Sequence, residues 1–184
     1  MAVDAGEVNG RIFVNNASLG IYPHLVEERE RVQRQGVAKW LAAGAALVRV
    51  LWRMPTPRLT VRAKGWRADR RTPCLFIGNN LYDLDVFASA KRARLDRGEL
   101  CLYIATRSSR AAFLRLAART LLGRMEMQRD LELARLPEVE IAARSRLVRV
   151  ALDGEALVLP QPLKFRSRPG ALKVFVPERS AAPP

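Results

Sequence analysis

The stretch RVALDGEALVLP, Arg149 to Pro160, sets Asp153 and Glu155 on either side of Gly154. Two carboxylates on one tight turn can belong to an active site or to a plain hairpin. The apolar runs Val150–Leu152 and Ala156–Leu159 meet across Asp153-Gly154, and an Asp-Gly pair favours the positive φ angles of a two-residue turn. Few other residues offer chemistry. His24 is the one histidine, with no neighbouring cysteine or serine to complete a triad or a zinc site, and it reads as a surface residue. Cys74 in CLFIG and Cys101 in ELCLYIA sit in apolar runs without a CxxC partner, so they read as reduced core residues. Asn15 and Asn16, and again Asn79 and Asn80, form pairs that can each serve an Asx-turn of their own loop. Asp83 and Asp85 in YDLDVF would point the same way if extended, but they read as a solvated loop. All eleven glycines are isolated. No Gly-Gly pair, P-loop or GxGxxG offers a phosphate cradle.

The elements that must position these residues follow from periodicity. RIFVNNA (11–17) reads as a strand broken by Gly20 and Pro23, followed by a charged helix closing at Gly36. Residues 37–54 are apolar except for Lys39, Arg49, Arg53 and a glycine. At about 100° per residue those three charges fall within roughly 80° of one another, a narrow stripe on a mostly apolar helix. Three charges and a short length argue against a transmembrane span; burial against a sheet is expected first, and membrane-interface contact second. RLTVRA, CLFIGNN and GELCLYIATR then read as strands. Ser108 or Ser109 can cap a short helix ending at Gly123. VEIAAR, LVRVAL, EALVLP and LKFRSR follow as strands, with a turn at Pro169-Gly170 before ALKVFVP. The pattern predicts the α+β class: an antiparallel β-sandwich with a few helices. One domain covers residues 1–177, and 178–184 is expected to be a disordered tail.

The chain carries 32 Lys and Arg against 18 Asp and Glu, a net charge of +14. Such a surface attracts nucleic acid, anionic lipid headgroups or nucleotide phosphates, or it is the ordinary solvated face of an arginine-rich protein. No helix-turn-helix, zinc-finger or aromatic RNP spacing is present, so no nucleic-acid partner is expected. The mildly acidic start MAVDAGEVNG lacks the pattern of a secretion signal. A cytoplasmic protein is expected, with peripheral contact at the inner membrane face.

Four stretches, FVNNASLGIYPHLVEERE, PCLFIGNNLYDLDVF, KRARLDRGELCLYIA and RVALDGEALVLPQPLKFRSRPGALKVFVP, together resemble the C-terminal domain of the bacterial diacylglycerol kinase and sphingosine kinase-like lipid kinase family, more distantly related to NAD kinases. The resemblance implies the β-sandwich half of a two-domain enzyme that phosphorylates a lipid alcohol with ATP and Mg²⁺. The family's nucleotide phosphates lie against a Gly-Gly-Asp-Gly loop of an N-terminal domain with no counterpart here, so this chain alone is expected to be inactive. Asp153 matches the family's general base, and Glu155 the glutamate that supports the base or a metal. Asn15, Asn16, Ser18 and Gly20 match one turn near the interdomain cleft, and Asn79 and Asn80 a second. Some members bind a structural Mg²⁺ through an aspartate where this chain has Arg97, with Asp96 beside it. Asp96, Asp83 and Asp85 are therefore only weak metal candidates. The implied partners are a lipid alcohol, an anionic membrane surface and the missing nucleotide-binding half. The alternatives are a non-catalytic lipid-binding remnant and a basic nucleic-acid-binding protein.

Overall fold

The computed structural model describes residues 1–24, 26–27, 56–82, 94–105, 109, 111–112, 115 and 131–175. They form two six-stranded antiparallel sheets. The first runs β2 (Arg11–Phe13), β1 (Ala2–Val8), β12 (Leu163–Lys173), β9 (Glu138–Ala143), β4 (Arg58–Ala63), β5 (Trp66–Arg71). The second runs β11 (Glu155–Pro160), β10 (Leu147–Leu152), β3 (Asn16–Gly20), β6 (Cys74–Asn79), β7 (Leu100–Ala105), β8 (Leu131–Leu136). Alternation dictates the packing: Leu59 and Val61 of β4, Leu75 and Ile77 of β6, and Val139 and Ile141 of β9 turn inward and are buried, as period-two strands require. Leu102, Ile104, Val150, Leu163 and Phe165 complete a single core between the sheets. Phe13 and Phe165 meet edge to face there at 6.4 Å. Gly6, cross-strand partner of Phe13, leaves room for its ring, where a Cβ would lie 2.1 Å from the ring.

Several sequence expectations change in the folded chain. Residues 11–17 are not one strand: β2 ends at Phe13 and β3 starts at Asn16. The intervening bend donates its backbone N–H groups to Asp153 instead of a ladder. β3 continues through SLG to Gly20, and helical backbone begins only at Ile21. Pro169-Gly170 is no turn. β12 passes through it, and the register with β1 shifts between Val3 and Ala5, so the pair sits in a bulge with Gly170 at φ +61°. A bulge frees backbone groups from the ladder, and the freed Gly170 N–H is taken by the Asp4 carboxylate at 2.9 Å.

Three strands were not legible in the sequence: β1, and the edge strands β5 and β8, whose Arg70 and Glu132 form a two-point ion pair across the sheets at 3.0 Å. Ser109 caps the start of the expected helix through Ala112 N–H. The apolar stretch 37–54, most of the helix ending at Gly123 and the tail 178–184 lie outside the described residues.

Candidate functional site at the Asp153 turn

β10 and β11 pair from Leu147↔Pro160 to Leu152↔Glu155, leaving Asp153-Gly154 as a two-residue loop. Their φ angles of +48° and +92° are those of a type I′ turn, which matches the right-handed twist of the strands it joins. The Asp153 side chain reaches across to the bend between β2 and β3. Oδ2 accepts the Val14 N–H at 2.7 Å, and Oδ1 accepts those of Asn15 at 2.7 Å and Asn16 at 2.9 Å. In return, the Asp153 N–H donates to Asn16 O at 2.9 Å. A carboxylate has about four lone-pair positions. Three are filled by backbone donors, leaving one open direction on Oδ2.

A second, buried network lies at the same end of the sandwich. Asp4, 2% exposed, accepts from Gly98 N–H at 2.7 Å and Asn80 Nδ2 at 3.1 Å through Oδ2, and from Gly170 N–H through Oδ1. Asn80, in the left-handed region at φ +67°, accepts the Arg97 N–H through Oδ1 and donates its own N–H to Glu99 O. Asn79 Nδ2 donates to Asp4 O and Val14 O, and its N–H to Asn15 O. The Tyr82 hydroxyl also donates to Asn15 O, at 3.0 Å. The Asn79 amide thus ties β6 to the 13–16 bend and to β1, and the Asn80 amide ties β1 to the backbone at Arg97. Asp4 is the centre that sequence reasoning missed. The available signal was Asn9-Gly10, a second Asx-Gly hairpin with φ +47° and +82° that marks AVDAGEV as a strand.

Residues 25–176 match the family model of the YegS C-terminal NAD kinase beta sandwich-like domain. The chain belongs to this family. Among solved structures it is similar to two of a candidate diacylglycerol kinase from Bacillus anthracis str. Sterne. These give TM-scores of 0.60 and 0.59 at 17% and 16% identity; each covers 92% of this chain, and this chain covers 54% and 53% of theirs. A third, of a diacylglycerol kinase from the same organism, gives a TM-score of 0.51 at 11% identity, covering 92% of this chain and 52% of that one. At such identities the likeness is one of fold. The chain spans about half the length of these proteins.

In this YegS-type sandwich the remaining residues separate. Glu155 opens β11 beside the turn, exposed. Ser18 lies on the outer face of the second sheet between Ala151 and Phe76, fully buried, and its hydroxyl has no hydrogen-bond partner among the described residues. Gly20 is not at the site: four residues of strand, roughly 13 Å, part it from Asn16. Its φ of +93° and a Cβ position 2.1 Å from Pro73 O make it a packing glycine. Asp96 is held by Arg94 in a two-point pair at 3.0 and 2.9 Å. Asp83 and Asp85 lie outside the described residues. No cluster of three His, Cys, Asp or Glu fit to hold a metal occurs among the described residues. Both thiols are pushed up to about 11 by burial, so they are poor nucleophiles. His24 is not a plain surface residue, since its side chain is only 34% exposed. Among the described residues no helix is long and apolar enough to cross a membrane.

Proposed function

We propose that this chain is the substrate-binding half of an ATP-dependent lipid kinase, acting on the hydroxyl of a lipid such as diacylglycerol. The observation that carries this reading is the Asp153 carboxylate. Three backbone N–H groups fix it at the tip of a rigid hairpin, with one lone pair of Oδ2 still free to accept a hydroxyl proton. Phosphoryl transfer asks mainly for positioning and charge stabilisation, and a fixed carboxylate aligned on the attacking hydroxyl meets that need. Glu155, exposed at the start of β11, is the carboxylate nearest to Asp153 in sequence and the one we assign to support it. The described residues do not by themselves make a Mg²⁺ cage. Mg²⁺ and ATP belong with the nucleotide-binding half.

The three N–H bonds also favour a second reading, in which Asp153 only clamps the 13–16 bend in a non-catalytic lipid-binding module. The test is Asp153→Asn in the chain joined to a nucleotide-binding half, with kcat measured well below the melting temperature. A base predicts a loss of about a hundredfold or more in kcat. Normal turnover by the folded variant would leave Asp153 as a clamp alone.

A further inference from the structure

The end of the sandwich opposite the Asp153 turn holds a groove of about 680 Å³ with walls from both sheets. That volume lies within the roughly 300–1,000 Å³ of small-molecule sites. Leu147, where the groove lies, and Leu152, beside the turn, stand at opposite ends of β10, roughly 17 Å of strand apart. The groove is therefore distinct from the candidate catalytic site.

Its walls are of two kinds. Leu147 and Val158, 59% and 52% exposed, form an apolar pair on the outer face of the β10–β11 edge, while the half-buried Val148 turns to the core. Arg58 of β4 and Arg144, just past the end of β9, supply positive charge, and no carboxylate pairs with either among the described residues. Arg149, by contrast, is tied to Glu27 at 3.1 Å. Burial first, and the charge of Arg149 second, hold the His24 imidazole below its ordinary pKa, so at neutral pH its ring adds surface rather than charge. His24 and Thr56 both line the groove.

We propose that this groove binds an anionic phospholipid of a membrane surface, with the phosphate met by Arg58 and Arg144 and an acyl chain lying along Leu147 and Val158. Unpaired guanidiniums suit a phosphate, which they can bind in a two-point fork. The apolar pair has no use against a nucleic-acid backbone, and apart from His24 no aromatic ring stands among the described lining residues to stack a base. Anchoring at this site goes beyond the lipid-kinase reading and does not depend on it.

The test is co-sedimentation of the 184-residue chain with vesicles of phosphatidylglycerol and phosphatidylcholine, with melting temperatures recorded in parallel. Arg58→Glu with Arg144→Glu is expected to weaken binding by about tenfold or more, because each basic side chain near an anionic surface contributes measurably. Leu147→Ser with Val158→Ser should weaken it as well, since the chain's apolar contact is lost. Arg11→Glu with Lys173→Glu makes the same charge change on β2 and at the end of β12, neither of which lines the groove, and is expected to cost clearly less. Equal losses from both charge pairs would reduce the effect to net charge and overturn the proposal. So would unchanged binding by folded groove variants, which would leave the apolar pair to the chain's own apolar stretch, or a wild type that does not bind the vesicles. None of these outcomes bears on Asp153, whose role rests on kcat.

Discussion

At the scale of single residues, the geometry around Asp153 and Ser18 makes opposite demands. Asparagine tolerates the left-handed turn position as aspartate does. An amide, however, can present an oxygen to Asn15 and Asn16 only by turning its NH₂ toward the Val14 N–H, setting donor against donor. Leaving such a group unsatisfied costs about 1–3 kcal/mol. At about 2–4 °C per kcal/mol for a chain of this size, Asp153→Asn should lower the melting temperature by roughly 2–12 °C. A melt superimposable on wild type would mean that the three bonds are not formed in solution. Ser18 is the converse case, because its buried hydroxyl has no partner to lose among the described residues. Ser18→Ala is expected to leave the melting temperature unchanged or to raise it, and a clear fall would show a hidden hydrogen bond.

At the scale of elements, the joint between β1 and β12 is electrostatic as well as hydrogen-bonded. Glu7, 8% exposed, takes Arg166 at 2.6 Å and Arg168 at 3.4 Å, both from the neighbouring strand. The hydrogen bond from Arg166, with the charges of both arginines, outweighs burial and holds the Glu7 carboxyl below its ordinary value. A carboxyl depressed in the folded state stabilises the fold above its unfolded pKa, and that contribution is lost as pH falls through the folded one. Glu7→Gln should therefore lower the urea midpoint at neutral pH by an amount that shrinks as the solution is acidified through the carboxylate range. Because the arginines are half exposed, the neutral-pH difference should be about 1 kcal/mol and fall in high salt. A difference that is constant with pH would assign the loss to packing.

At the scale of the whole molecule, two sheets close around one core, and the asparagine turns, Asp4 and the Asp153 hairpin gather at one end of the sandwich. No glycine-rich phosphate cradle appears anywhere in the sequence, and the chain covers about half of the solved structures it resembles. Purified alone, it is expected to transfer no label from the γ-phosphate of ATP to diacylglycerol in mixed vesicles. Adding a nucleotide-binding half should restore transfer. Activity in the 184-residue chain by itself would require a phosphate site built from its own residues.

The sequence by itself determined the strands whose two faces differ. RLTVRA and VEIAAR alternate because one side meets the core and the other meets water, and Asp153-Gly154 marks the hairpin of LVRVAL and EALVLP because few dipeptides accept two positive φ angles. The order of four motifs was enough to place the chain in its family. Only the tertiary structure decided how β1 packs, since Val3 to Val8 are buried on both faces and show no period. It also decided that Pro169-Gly170 is a bulge and that Asp4 is the hub of the asparagine network. The partners of Asp4 lie 76, 94 and 166 residues away along the chain. A carboxylate that far from its donors looks like any surface aspartate until the sheets bring them together. Asp153, whose donors are 137 to 139 residues distant, could be recognised as a turn from its neighbours, but its three-point hold on the 13–16 bend belongs to the fold.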